Sequence, residues 1–502
     1  MNRLSKIRVT YSGLISFAIG LTSVITGIIF TLIVTRSLNA EEFGTWNLIG
    51  GLITYVIIVE PIVSYWATRE TARGLASSRT AVMSSGMLSI GGVLVYLLIA
   101  YSLASNIHAN ENVLYFASIL IPVMFLNRTL TAVNLGWSPH SSSYGMLSFE
   151  IAKIPAALAM VYFLHLGIIG AISSTIFAYI ASIIILIYFA RERLKGQFSL
   201  SFLKKWVKLS WLSVYPGISN VVYHLDVIIF SVISGSVIGL AFYSAAQTIS
   251  NLVGNSSLIS QAVYPKLLEG GDKQHLQENL IQFFYFAFPL AALSIVFAKP
   301  ALFALKPIYE TAVPVVIFMT IRAILYVVGG TYNQAMLGIE KVDLNENSTV
   351  KDFVKSKLFS VPTMILVQYS VYTISVAVGL YLLKSFSKND IDLVIYWSII
   401  SLATQIPFTI YYYLESRKYF VSKINVSSLL KYLGASVISF GITYLLLQEF
   451  LSYKKSIFEF IPNLLMFALI GIGLYLGITY LVDSRTRKLF HAIINEVRGN
   501  HR

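Results

Sequence analysis

The sequence predicts an all-α polytopic membrane protein with about 14 transmembrane helices. The first observation is the composition, since 56% of the 502 residues are hydrophobic and only 12% are charged. The mean hydropathy of +0.73 is well above that of soluble proteins of this length. The second observation is that apolar stretches of bilayer-spanning length recur along the chain, and the third is that Lys and Arg are concentrated in alternate loops.

The candidate spans share a length of about 20 mostly apolar residues, which is what a bilayer requires. They lie at 11–34, 43–67, 81–103, 113–136, 144–165, 168–190, 209–234, 236–264, 279–298, 310–337, 359–383, 391–414, 432–448 and 460–482. The fifth and sixth spans, and the seventh and eighth, are separated by very few residues. The first span is too long for a cleaved signal segment and has no obvious cleavage site, so we expect it to remain as a helix.

The basic residues predict a cell-membrane protein with both termini in the cytoplasm, because cytoplasmic loops carry the excess of Lys and Arg. If the N-terminus is inside, most of the 37 basic residues lie in inner segments. The outer loops then hold only Arg36, Lys299, Lys306, Lys384, Lys388, Lys454 and Lys455. Topology therefore explains the net charge of +14, and we expect membrane lipids but no nucleic acid as partners.

The spans group into two bundles. We expect a six-helix bundle at 1–200, a second six-helix bundle at 201–420, and two additional helices with a cytoplasmic tail at 421–502. A weak internal repeat supports this division, since Phe-Gly-Thr-Trp at 43–46 aligns with Leu-Ala-Phe-Tyr at 240–243. Six spans per repeat is an even number, so both halves would cross the membrane in the same direction.

Three short motifs and the number of spans resemble one family. The motifs are the turn at 36–46, Ala-Thr-Arg-Glu at 67–70, and Gly-Leu-Ala-Phe-Tyr-Ser-Ala-Ala at 239–246. The chain resembles the polysaccharide-transporter branch, the lipid-linked oligosaccharide flippases, of the multidrug/oligosaccharidyl-lipid/polysaccharide (MOP) flippase superfamily. The resemblance implies two bundles facing a central cavity, alternating access, and a polyprenyl- or dolichyl-linked oligosaccharide as cargo.

Charged side chains inside the spans are the first candidates for binding the phosphate or pyrophosphate of such a cargo. Arg128, Lys153 and Arg322 would each cost about 2.5 to 3.5 kcal/mol at mid-bilayer, so each is expected to face a cavity or a partner. The planar guanidinium of the two arginines suits phosphate oxygens.

A structural role is the alternative for two of these residues. Lys153 has Glu150 three residues earlier on the same helix face, and Arg128 has Glu60 in the second span as a candidate partner. For Arg322 we favour the cavity, because the only acid in its own span is Glu310 at the far end.

Two spans carry polar stripes at helical spacing. The stripe of the tenth span consists of Arg322, Tyr326, Gly329 and Asn333. The stripe of the eighth span consists of Tyr243, Gln247, Asn251 and Asn255. Amides in such stripes are suited to sugar hydroxyls, although polar residues also hold membrane helices together.

One acid within a span is a candidate for coupling transport to H⁺ or Na⁺. Asp226 lies two residues after His224 in the seventh span, and a buried carboxylate can change its protonation as access alternates. In related exporters of the superfamily an acid within a bundle serves a cation site. A hydrogen-bonded structural aspartate is the alternative.

Several enzyme signatures are absent from the sequence. There is no GxxxxGK[ST] loop, no HExxH pair and no cysteine, so we expect no P-loop ATP hydrolysis, no metal and no cofactor. Asp390 and Asp392 are interpreted as a solvated loop pair. The sequence thus predicts a flippase that is not an enzyme. The alternatives are a multidrug or small-molecule exporter of the same superfamily, and a membrane glycosyltransferase or polymerase.

Overall fold

A computed structural model of the chain describes residues 23, 26–72, 74–104, 110–208, 210–256, 274–340, 342, 350–420, 426–454 and 456–487. In these ranges the regular structure is helical throughout, without a β-strand. The predicted all-α polytopic architecture is confirmed.

The helices divide into two compact units. The first unit comprises Met1–Phe242 with Leu380–Asp390, and the second comprises Tyr243–Gly379 with Ile391–Arg502. The bundle boundaries expected at residues 200 and 420 stay a prediction.

Among the described residues, eleven helices precede position 257. They are α1 (Thr26–Ser37), α2 (Ala40–Ile57), α3 (Pro61–Ala72), α4 (Ser78–Ala104), α5 (Glu111–Ala117), α6 (Leu120–Trp137), α7 (Pro139–Ala157), α8 (Gly167–Ala190), α9 (Leu200–Lys208), α10 (Ser210–Ser234) and α11 (Ile238–Ser250). After Pro155, α7 continues into a π-helical turn, Leu158–Phe163.

Eight helices lie in the described residues from position 274 onward. They are α12 (Gln274–Val296), α13 (Ala298–Leu305), α14 (Val313–Gly338), α15 (Val350–Lys355), α16 (Lys357–Leu383), α17 (Asp390–Arg417), α18 (Val426–Phe450) and α19 (Ile457–Val482).

Length and apolar composition allow ten of the described helical segments to cross a membrane, or up to 12 if two bent pairs each count as one span. The bend is 61° between α2 and α3 and 64° between α12 and α13. The first and eighth predicted spans lie partly outside the described residues. The closely spaced fifth and sixth spans are separate helices, divided by a turn in which His165 and Gly167 have φ values of 51° and 57°.

The polar turn near the N-terminus of the chain forms the N-cap of α2. The Asn39 side chain accepts a hydrogen bond of 2.7 Å from the Glu42 backbone N–H. The Glu42 carboxylate accepts one of 3.0 Å from the Asn39 backbone N–H. This capping box satisfies two backbone donors, and the acidic first turn of Glu41 and Glu42 complements the positive end of the helix dipole.

Small residues allow close approach of helices in the first unit. Thr68 of α3 donates a hydrogen bond of 3.1 Å to the carbonyl oxygen of Ala132 in α6. One turn later, a Cβ at Gly136 would collide with the carbonyl oxygen of Thr68. Gly44, at the start of α2, is in a comparable position, since its Cβ would collide with the carbonyl oxygen of Val237.

We predict that Gly44→Ala lowers the thermal unfolding midpoint of the purified protein. The added methyl meets backbone, which cannot turn away as a side chain can. Gly50→Ala in the same helix is the matched control, because nothing lies within 4 Å of its Cβ position. In a helix interior this control should be neutral or stabilising by about 0.5 to 1 kcal/mol. Equal midpoints for the two variants would contradict the proposed contact.

Candidate functional site

Arg322 lies in the first half of α14 and is half-buried. Its guanidinium carbon is 5.9 Å from the ring centroid of Tyr372 in α16, within the range of a cation–π contact. The Tyr372 hydroxyl accepts a hydrogen bond of 2.8 Å from Nε1 of Trp397 in α17. The Trp397 ring stacks on Tyr243 in α11, with centroids 3.7 Å apart and an interplanar angle of 8°.

We call Tyr372, Trp397 and Tyr243 the aromatic stack. All three rings are buried, so their positions are fixed by packing as well as by the hydrogen bond. An arginine guanidinium is planar and presents its N–H groups in its own plane. Arginine binds phosphate oxygens in that plane, often through two parallel hydrogen bonds. Arg322 thus lies within cation–π distance of a tyrosine of the aromatic stack.

The residues of the polar stripe predicted in the tenth span do not share one environment in the structure. Tyr326 is exposed, whereas Asn333 is buried. Gly329 packs on α17, because a Cβ there would lie 3.2 Å from the Tyr412 ring. Asn333 follows Arg322 by three turns, about 16 Å along the helix axis. The structure therefore does not bring Asn333 together with Arg322.

A network of uncharged side chains, which was not predicted from the sequence, joins α16 to α17. The Tyr412 hydroxyl donates a hydrogen bond of 2.8 Å to the side-chain carbonyl oxygen of Gln368. The Gln368 amide donates one of 2.9 Å to Gln405, whose amide donates one of 3.0 Å to Thr409. An amide in each of two consecutive spans is the signal that could have found this network.

The polar stripe of the eighth span does not continue as predicted. Gln247 is half-buried on α11, but the α-helix ends at Ser250 and Asn251 lies exposed in a turn. Asn255 belongs to the 3₁₀ turn Val253–Ser256, and its side chain lies outside the described residues. Asn and Gly favour turns over helix interiors, and Asn251, Gly254 and Asn255 follow one another closely here.

Lys153 forms an ion pair with Glu150, which was the predicted alternative to a substrate-binding role. It is buried in α7, and its Nζ lies 2.6 Å from Oε2 of Glu150. The Glu150 carboxylate also accepts hydrogen bonds from Ser23, at 2.6 Å, and from Thr26. The Lys153 ammonium lies 5.6 Å from the ring centroid of Phe30 in α1. These contacts connect α7 to α1 and leave Lys153 enclosed by protein.

Arg128 is exposed on α6 and interacts electrostatically with Glu60, which lies at the bend between α2 and α3. The buried Glu60 carboxylate accepts hydrogen bonds from Ser64, at 2.9 Å, and from Thr129, at 3.3 Å. Hydroxyl groups therefore satisfy Glu60 directly, and Arg128 acts on it from a greater distance.

Asp226 is buried in α10 with a relative exposure of 2%. It belongs to the first unit, where Tyr55 of α2 lies close enough to interact with it electrostatically. The Tyr55 hydroxyl donates a hydrogen bond to the backbone carbonyl of His224, which secures α2 to α10 beside the carboxylate. Among the described residues, no three His, Asp or Glu side chains come together as a metal site.

The fold of nearly the whole chain matches solved transporters. The structure of "Lipid II flippase MurJ, inward closed conformation" aligns with a TM-score of 0.64 and 15% identity, covering 95% of this chain and 100% of that one. An inward-facing multidrug resistance MATE family transporter of the MOP superfamily aligns with a TM-score of 0.55 and 12% identity, covering 81% and 98%. The chain shares the fold of these two solved structures.

In sequence, the chain is 26% identical over 293 residues to the "Putative O-antigen transporter" of Shigella flexneri. That match covers 52% of this chain and 68% of the relative. The predicted resemblance to the polysaccharide-transporter branch of the MOP superfamily is confirmed. No protein-family profile matches the chain. These relatives are named as transporters or flippases, and the ten or more apolar helical segments of the described residues make this chain a multi-pass membrane protein.

We predict that Lys153→Met destabilises the protein, because it leaves the Glu150 carboxylate buried without its cation. Breaking a buried pair in this way costs about 3 to 5 kcal/mol. Adding Glu150→Gln should restore stability, since Ser23 and Thr26 can still donate to an amide oxygen. The measurement is the thermal unfolding midpoint in detergent.

Lys195→Met is the matched control for this prediction. Lys195 pairs at 2.8 Å with Glu192, also three residues earlier, but both side chains are exposed. Exposed pairs contribute about 0 to 1 kcal/mol, so its midpoint should barely change. A Lys153→Met protein as stable as this control, yet unable to transport, would assign Lys153 to the substrate instead.

Proposed function

We propose that the protein is a flippase that moves a lipid-linked oligosaccharide from the cytoplasmic to the outer leaflet by alternating access. The cargo would be carried on a polyprenyl or dolichyl phosphate or pyrophosphate. The similarity to the Shigella relative named for O-antigen supports a saccharide cargo. This similarity is the observation that carries the proposal.

Arg322 is the residue that we assign to the phosphate or pyrophosphate. It combines a fixed positive charge, a position within a span, and a guanidinium supported by the aromatic stack. Gln247, one turn after Tyr243 on α11, is the amide that we assign to sugar hydroxyls, together with Asn251 and Asn255 beyond the helix end. Asn333 is assigned to the packing of α14 on α17.

The orientation that we propose has both termini in the cytoplasm. The headgroup would cross through a polar path while the lipid tail stays in the bilayer, because a charged phosphate is costly to place in hydrocarbon. Arg128, exposed on α6, remains a second candidate for contact with the headgroup.

Depletion of the protein should cause lipid-linked oligosaccharide to accumulate on the cytoplasmic face, as measured by its leaflet distribution in cells. Wild-type protein should restore the distribution. Arg322→Ala should restore about a tenth or less of the wild-type transport rate, since a hydrogen bond to a charged group contributes about 1.5 to 3 kcal/mol. Arg322→Lys should be intermediate because it keeps the charge but loses the planar fork.

Arg417→Ala is the matched control for the Arg322 variants. Arg417 also lies over a tyrosine, with its guanidinium carbon 5.7 Å from the Tyr413 ring centroid, but it is exposed at the end of α17. This variant should transport normally. A normal leaflet distribution after depletion, combined with a gain in drug sensitivity, would favour the small-molecule exporter instead.

Asp226 is the group that we propose for coupling to H⁺ or Na⁺. In proteoliposomes, Asp226→Asn should transport at a rate independent of an imposed proton or sodium gradient, because an amide cannot exchange a proton or neutralise a cation. Asp226→Glu should retain part of the dependence. If Asp226→Asn still responds to the gradient like wild type, Asp226 is structural.

A further inference from the structure

The connection between α8 and α10 contains the short helix α9, whose side chains fall into three sectors at 100° per residue. Phe202 and Trp206 occupy the first sector. Leu200, Leu203 and Val207 occupy the second, and Lys204 and Lys208 occupy the third. A helix with these three sectors is suited to a boundary between protein, hydrocarbon and charged headgroups.

The first sector fixes α9 to the first unit. Trp206 is fully buried, and its Nε1 donates a hydrogen bond of 3.2 Å to the carboxylate of Glu70 at the end of α3. Lys205 forms an ion pair of 2.8 Å with the other oxygen of the same carboxylate. Phe202 stacks on Trp206 with ring centroids 6.1 Å apart. The rotation of α9 about its own axis is therefore set by protein contacts.

The second sector leaves apolar side chains uncovered. Leu200 and Val207 are 53% and 55% exposed, and Trp211, at the start of α10, is 57% exposed. Candidate spans, assigned by length and hydropathy, end at Ala190 and begin again at Ser213, so α9 lies between two candidate spans, where a membrane boundary is expected. Exposed tryptophan is typical of that boundary.

The third sector belongs to a strongly basic segment. Residues 191–208 contain six basic residues and one acid, Glu192, which is engaged by Lys195. Within the described part of the chain, Lys204 and Lys208 form no ion pair. Two exposed cations thus stand next to an exposed apolar strip, on a helix whose orientation the protein fixes.

We propose that α9 is a docking surface for anionic phospholipid headgroups. Lys204 and Lys208 contact the lipid phosphates, while Leu200, Leu203 and Val207 enter the boundary of the acyl chains. Charge complementarity selects this partner, since a polybasic segment beside a bilayer attracts anionic lipid. The proposal concerns the bilayer lipid and does not depend on which cargo the protein moves.

A single fluorescent label tests this proposal, because the chain has no cysteine. Val207→Cys, labelled with a polarity-sensitive dye, is reconstituted into nanodiscs of phosphatidylcholine alone or with added phosphatidylglycerol. We expect a blue shift of emission in the anionic discs, which becomes smaller as salt screens the headgroups. The shift should be lost in the background of Lys204→Gln with Lys208→Gln.

The matched control is Lys384→Gln with Lys388→Gln, which removes the same charge from another exposed surface and should leave the shift unchanged. Elution as a single symmetric peak verifies folding, and the salt dependence of the Val207→Cys protein tests the proposal without the lysine variants. Equal emission in both lipids would overturn the proposal. An unchanged shift without Lys204 and Lys208, or the same shift produced by inorganic phosphate in phosphatidylcholine discs, would also overturn it.

Discussion

The structure depends on one constraint, which is that a bilayer interior supplies no water to satisfy polar groups. Helices meet this requirement for the backbone, and neighbouring side chains must meet it for every buried carboxylate. Four buried carboxylates each accept two or more hydrogen bonds or ion pairs. They are Glu60, Glu70, Glu150 and Asp483. Because most of the donors come from another helix, satisfying the charge also fixes the helix packing.

The constraint is met by charged contacts at some sites and by neutral contacts at others. In the first unit, cations and hydroxyl groups surround acids, as Lys153 does for Glu150. In the second unit, Gln368 and Gln405 join two spans without a formal charge. This neutral network lies on α16 and α17, the helices that also carry Tyr372 and Trp397 of the aromatic stack.

The positions of the helices could be predicted from the sequence because a bilayer imposes a length of about 20 apolar residues. The Lys153–Glu150 pair could also be foreseen, since three residues on a helix place two side chains together. The contact of Trp206 with Glu70 could not be foreseen, because it joins residues far apart in sequence, whereas the amides of Gln368 and Gln405 in consecutive spans were a signal that was not used. The end of α11 at Ser250 was missed because hydropathy outweighed the turn preference of Asn251 and Gly254.

The aromatic stack also determines what intrinsic tryptophan fluorescence can measure in this protein. Of the six tryptophans, Trp397 alone belongs to the second unit, and it lies between Tyr243 and the tyrosine that supports Arg322. Within that unit, excitation energy absorbed by the tyrosines has one indole acceptor. The second unit thus carries an intrinsic optical probe one ring away from its half-buried arginine.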